Sequence, residues 1–173
     1  MSYLSAENIA KSFDDRWLFR NISFGISKGD KVALIGTNGT GKTTFLNILT
    51  GKIPADEGSV SVRKDIRVGY LDQSPAFDES LPVLEVIFSS NNPVAQVVKR
   101  YEHAIESDNH DELAQVMEDM DKFNAWDFEY KTKEVLGRLG IHHTDSAYGT
   151  LSGGQRKRVA LAKVLLEDPD LLI

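Results

Sequence analysis

The feature that most constrains this chain is the run Gly36-Thr37-Asn38-Gly39-Thr40-Gly41-Lys42-Thr43, which matches G-x-x-x-x-G-K-[ST] and lies between a strand pattern and a helix pattern. Before it, Lys31-Val32-Ala33-Leu34-Ile35 is a nearly continuous apolar run, the pattern of a strand buried on both faces of a parallel sheet. After it, Phe45, Leu46, Ile48 and Leu49 fall on one face at helical spacing, and Gly51 stands where such a helix would stop. Strand, glycine loop and helix in that order make a cradle for phosphates, here running from Gly36 to Thr44. The glycines let backbone N–H groups turn inward without a Cβ in the way, and the positive end of the helix adds to them. Lys42 supplies a cation for β- and γ-phosphates, and the Thr43 hydroxyl is a ligand for Mg²⁺. No N-K-x-D guanine motif occurs, so the expected nucleotide is ATP.

A second glycine motif, Leu151-Ser152-Gly153-Gly154-Gln155, opens the last helical pattern, predicted from about Gly153 to Leu166 and ended by Pro169. Ser152 and Gln155 form an S-x-x-Q capping box, which accounts for those two residues alone. It leaves the paired glycines unexplained, each costing roughly 1 kcal/mol against alanine in a helix. It also leaves Arg156, Lys157 and Arg158, three cations near the positive end of a helix. An approaching anion accounts for both, so this helix start reads as a second phosphate contact.

The rest of the chain sets the setting for these motifs. Ile22, Phe24 and Ile26 alternate as in a strand, and Gly58 to Val62 and Ile66 to Leu71 read as two more. From Leu81 to Gly140 the period becomes helical, with Pro82 and Pro93 suited to first turns. One apolar stripe is Val94, Val97, Val98, Tyr101 and Ile105, a second Leu113, Val116, Met117 and Met120, a third Val135, Leu136 and Leu139, all expected in the core. The 173 residues, 41% hydrophobic and 27% charged, suit one soluble domain. There is no cysteine, hence no disulfide or thiolate metal site. No apolar run reaches the ~18 residues of a membrane helix, and Met1 to Ile9 do not read as a signal peptide, so a cytoplasmic protein is expected. The net charge of −6 is uneven: from Glu102 to Glu129 ten acids face the single base Lys122, a local −9 that would repel a polyanion.

The phosphate loop, then a glutamine after a strand in Tyr70-Leu71-Asp72-Gln73, then Leu151 to Gln155, resembles the nucleotide-binding domain of the ABC ATPases. The resemblance implies an α/β fold with a central mixed or parallel sheet, an antiparallel β subdomain and a helical subdomain, incomplete at the C-terminus. On that plan residues 1–75 are the β subdomain and loop core, 76–148 the helical subdomain, and 149–173 the signature helix and the start of the Walker B strand. Domains of this family pair head to tail, so the resemblance assigns Ser152, Gly153, Gly154 and Gln155 to the γ-phosphate held on a partner domain. Gln73 matches the glutamine that reaches Mg²⁺ and the attacking water, and with Lys42 makes the catalytic set within the chain. Phe13 falls where the family places an aromatic against adenine, Trp17 being a substitute, although ordinary core packing would also explain an aromatic there. The Walker B Asp and Glu are expected past Ile173, so residues 1–173 are expected to bind ATP without hydrolysing it, the parent being an ATPase.

Within the family, Asn124-Ala125-Trp126-Asp127-Phe128-Glu129, Leu136-Gly137-Arg138-Leu139-Gly140 and Leu151 to Leu165 resemble the soluble ABC-F branch, and most of all its Uup-like members. That branch carries two ATPase domains in one chain and acts at the ribosome. The alternatives are the ATP-binding subunit of a membrane transporter and a nucleotide-binding module without turnover.

Overall fold

A computed structural model describes residues 2–14, 16–73, 75–89, 92–107 and 109–173. The chain divides into two compact units, one formed by the segment up to Tyr70 with Pro169–Ile173, the other by Leu71–Asp168.

In the first unit, strands β1 (Ser2–Phe13) and β2 (Arg16–Ser27) form an antiparallel hairpin, with Leu4 opposite Ile26, Ala6 opposite Phe24 and Ile9 opposite Ile22. Strand β3 (Glu57–Val62) pairs with the other edge of β1, giving the order β2-β1-β3. The alternation of Ile22, Phe24 and Ile26 turns one face of β2 to the core that also holds Leu4, Ala6 and Ile9. At Gly58 a Cβ would stand 2.3 Å from the Glu7 carbonyl oxygen, so only glycine lets β3 approach β1 there. Just before β3, Asp56 accepts hydrogen bonds from Lys11 Nζ (2.6 Å) and from the Ser12 amide and hydroxyl (2.9 and 2.8 Å). These bonds, the Lys11 one foremost, lower its pKa from 3.8 to about 2.

Helix α1 (Lys42–Leu49) follows the phosphate loop and ends near Gly51 (φ +73°), where the glycine was expected to stop it. Its buried Phe45 meets Phe19 edge-on at 5.3 Å and Phe24 at 5.6 Å, so α1 sits on the apolar face of β2. The parallel component is short: β4 (Val68–Gly69) pairs with β5 (Leu171–Leu172) over two residues each, not over the predicted Ile66 to Leu71.

The largest departure from expectation is Lys31–Ile35. It is not a strand, and its apolar side chains are open, with Val32 63% and Ile35 90% exposed. A strand apolar on both faces needs hydrogen-bonded neighbours at its edges. Among the described residues none pairs with it. Val32 and Leu34 instead border an open apolar groove of about 500 Å³ floored by Phe24, Phe45 and Leu49.

The second unit is helical: α2 (Val83–Phe88), α3 (Pro93–Glu106), α4 (His110–Lys122), α5 (Phe128–Arg138), a 3-10 turn (Tyr148–Thr150) and α6 (Gly153–Leu166). Pro82 is the N-cap of α2 and Pro93 the first residue of α3, whose cap Asn92 accepts the Val94 amide at 2.8 Å. The core joins Val86, Val98, Val116, Leu136, Tyr148 and Val159 from every helical layer. Three residues of the predicted stripes lie outside it: Leu113, and Ile105 and Met117, which are 52% and 45% exposed. Among the described residues no helix is long and apolar enough to cross a membrane.

Candidate functional site

The phosphate loop is exposed from Gly36 to Thr40 and built around glycine conformations. Gly39 (φ +85°) and Gly41 (φ +86°) occupy the left-handed region. At Gly41 a Cβ would also come within 3.1 Å of Leu18 and Phe19, so the hairpin packs against the loop at the point where α1 begins. Gly41 is the N-cap of α1 and offers no side-chain bond, so the first amides of the helix, at Lys42, Thr43 and Thr44, are left for an anion. Lys42 Nζ donates to the carbonyl oxygens of Gly36 and Thr37, both at 2.8 Å, and so spans the loop. The Thr40 hydroxyl donates to Thr37 O at 2.9 Å, which holds the turn containing Asn38. Thr43 is exposed and Thr44 half-buried. Free helix amides, glycine-shaped backbone and one ammonium fit a polyphosphate.

Phe13 lies in the same unit, at the end of β1, and is 54% exposed, with Lys11 Nζ 5.9 Å from its ring centroid. Core packing therefore does not account for it. Trp17 is 44% exposed, but its ring already stacks under the Arg20 guanidinium at 4.2 Å. Gln73 is exposed on a bend in the second unit.

In the second unit the signature residues stand together at the start of α6. Ser152 Oγ accepts the Gln155 amide (3.3 Å) and Gln155 Oε1 accepts the Ser152 amide (2.9 Å), the expected capping box. The Ser152 hydroxyl proton and the amides of Gly153 and Gly154 stay free of the box. Neither glycine has a positive φ, and nothing lies within 4 Å of a Cβ built on either. This chain's own structure therefore gives neither position a reason to be glycine.

The three cations that follow require a correction. Arg156 donates to Leu151 O, Gly149 O and the Glu79 carboxylate, and Arg158 donates to Leu139 O at 2.7 Å, capping the end of α5. Two of the three are thus bound by the chain's own oxygens, which accounts for them without an outside anion; Lys157 and Arg158 are exposed. Sequence reasoning missed Glu79 and the carbonyl of Gly149, because nothing in a local pattern shows which distant oxygens an arginine will meet. On the acidic helices, partial burial foremost and then Glu85, Glu129 and Glu106 raise the carboxyl pKa of Glu102, a field that opposes phosphates.

The profile of the family described as ABC transporter matches residues 19–173. The ABC transporter ATP-binding protein YfmR of Bacillus subtilis is 38% identical over 181 residues, covering 100% of this chain and 29% of its own. The ATP-binding protein Uup of Escherichia coli is 32% identical, covering 100% of this chain and 29% of its own. The energy-dependent translational throttle protein EttA of Mycobacterium tuberculosis is 29% identical over 96% of this chain and 31% of its own. Among solved structures, a nucleotide-free ATP-binding cassette from an ABC transporter superposes with a TM-score of 0.64 at 27% identity, over 99% of this chain and 68% of that one. The chain spans about a third of the length of the curated relatives it matches. It belongs to the ABC transporter ATP-binding family, as an ATP-binding domain with the α/β fold of that class.

Proposed function

We propose that this domain binds MgATP on Gly36–Thr44 and presents Ser152–Gln155 to the γ-phosphate of ATP held by a second ABC domain, paired head to tail. The observation that carries the pairing is the glycine pair at 153 and 154, which costs helix stability and has no steric purpose inside the chain. A close approach from outside supplies that purpose. In the cis site Lys42 and the first amides of α1 hold the phosphates, Phe13 lies against adenine, and Thr43 with Gln73 would hold Mg²⁺. The metal, when bound, offsets the charge gathering on the β- and γ-oxygens. On this reading each domain binds ATP, and hydrolysis belongs to the paired state.

The work driven is that of a cytoplasmic ABC-F type factor at the ribosome. Support comes from Uup, from EttA, whose name ties it to translation, and from ABC transporter F family member 5 of Arabidopsis thaliana, 29% identical over 99% of this chain. The transporter-subunit reading draws on the solved cassettes of transporters. Co-sedimentation with ribosomes under non-hydrolysable ATP, and not without it, is the expected result. Co-purification with an integral membrane protein, without ribosomes, would replace the first reading with the second.

A further inference from the structure

Within the second unit, the segment Phe77–Pro82 is stitched to the turn that precedes the signature. The Tyr148 amide donates to Leu81 O and the Gly149 amide to Glu79 O, both at 2.8 Å, and the Phe77 ring meets Tyr148 edge-on at 5.4 Å. A Cβ on Gly149 would stand 2.9 Å from Glu79 O, so the close approach depends on that glycine.

Arg156 closes this assembly. Its Nη1 donates to Glu79 Oε1 (2.6 Å), Nη2 to Gly149 O (2.7 Å) and Nε to Leu151 O (3.1 Å), and its guanidinium carbon lies 5.5 Å from the Tyr148 ring centroid. Three acceptors from three places in the chain need a planar fork; the single ammonium of a lysine does not span them. The Leu151 carbonyl belongs to the same rigid peptide as the Ser152 amide. That amide donates to Gln155 Oε1, so Arg156 holds one edge of the Leu151–Ser152 peptide and Gln155 the other. The peptide plane that ends at the Ser152 Cα, from which the Ser152 side chain and the chain onward to the two glycine amides continue, is thereby fixed in rotation.

We propose that Arg156 is a positioning residue of the signature: with Glu79 it sets the Leu151–Ser152 peptide so that the Ser152 hydroxyl and the amides of Gly153 and Gly154 are ready for the phosphate of the paired domain. This rests on the reading of Ser152–Gln155 as a contact made in trans. The competing assignment, Arg156 as a direct phosphate contact, would spend donors that this geometry has already committed to the chain.

Two substitutions separate the assignments in the full-length protein. Arg156→Lys keeps the charge and loses the fork, and Glu79→Gln loosens one anchor while making the site more positive. Positioning predicts that both lower turnover at saturating ATP, Arg156→Lys by about tenfold to a hundredfold, the scale of a roughly 1 Å misplacement, with half-saturation by ATP within about twofold of wild type. It also predicts faster hydrogen exchange at the amides of Ser152–Gln155, while Val159–Val164 inside α6 stay protected and so report an intact fold. A direct phosphate contact predicts the opposite sign for Glu79→Gln, raised turnover, and near-normal turnover for Arg156→Lys; either result overturns the proposal. Ser152→Ala is the control for the underlying reading. If it lowers turnover while Arg156→Lys does not, the trans contact stands and the positioning role falls; if Ser152→Ala changes nothing, both fall.

Discussion

The chain begins two helices at glycine-rich turns, and the two use glycine for opposite reasons. At α1 the fold demands it: Gly41 has a left-handed φ of +86° and Leu18 and Phe19 within 3.1 Å of where a Cβ would be. No side chain caps that helix, so its amides are left to a ligand. At α6 Ser152 and Gln155 form a capping box that leaves the Gly153 and Gly154 amides free, and no atom lies within 4 Å of a Cβ built on either glycine. On the proposed pairing, the glycine that α1 needs belongs to a site within the chain, and the glycines that α6 does not need belong to a surface for another molecule.

The sharpest way to break this contrast is to compare Lys42→Ala with Ser152→Ala in the isolated chain. Loss of the Lys42 ammonium is expected to weaken MgATP binding about tenfold to a hundredfold, the range of a charge-assisted bond. Ser152→Ala is expected to leave it within about twofold. Equal losses in calorimetry on folded monomers would end the assignment of the signature to a partner's phosphate.

Stability should separate the two glycine turns by sign. Gly41→Ala forces a left-handed residue against Leu18 and Phe19, and is expected to destabilise the chain by about 1–3 kcal/mol in urea titrations. Gly153→Ala and Gly154→Ala are expected to be neutral or to stabilise it by up to about 1 kcal/mol each while lowering turnover in the paired protein. Destabilisation at 153 or 154 would show a hidden internal need for glycine.

A smaller effect falls on the base. Phe13→Ala is expected to weaken ATP about threefold to tenfold, the worth of one aromatic ring contact, and to leave inorganic triphosphate binding unchanged. Trp17→Ala, its ring engaged by Arg20, should alter neither ligand; an ATP-specific loss there would move the adenine contact to Trp17.

The smallest concerns acid stability. Asp56 has its folded pKa lowered to about 2 by Lys11 and Ser12, so it contributes stability above its ordinary value of 3.8, lost as pH falls through about 2. Asp56→Asn is therefore expected to flatten the fall in melting temperature between about pH 4 and pH 2, slightly, because the group is exposed. Parallel pH profiles would remove Asp56 as a titrating anchor.

Features carried by local patterns were readable in the sequence. The glycine loop, α1 and the capping box at Ser152 each depend on residues within eight consecutive positions, and the structure has them where the spacing put them. Features resting on distant partners were not. Lys31–Ile35 has the composition of a buried strand, yet a strand is completed by another segment's backbone, and no described segment supplies it. Ile105 and Met117 fit helical stripes, but which edge of a stripe is covered depends on how α3 meets α4. Arg156 and Arg158 looked like charges awaiting an anion because their acceptors are backbone carbonyls, which carry no mark in a sequence, and a carboxylate, Glu79, far along the chain.

Lys42 carries a consequence for the tempo of the site. Its ammonium is already satisfied by two loop carbonyls, at Gly36 and Thr37, so capture of a phosphate is an exchange of bonds rather than a net gain of them. The swap needs only a side-chain rotation, which is fast compared with backbone rearrangement. The side chain thus ties the start of the loop to the start of α1, and nucleotide bound as proposed would have to undo that tie.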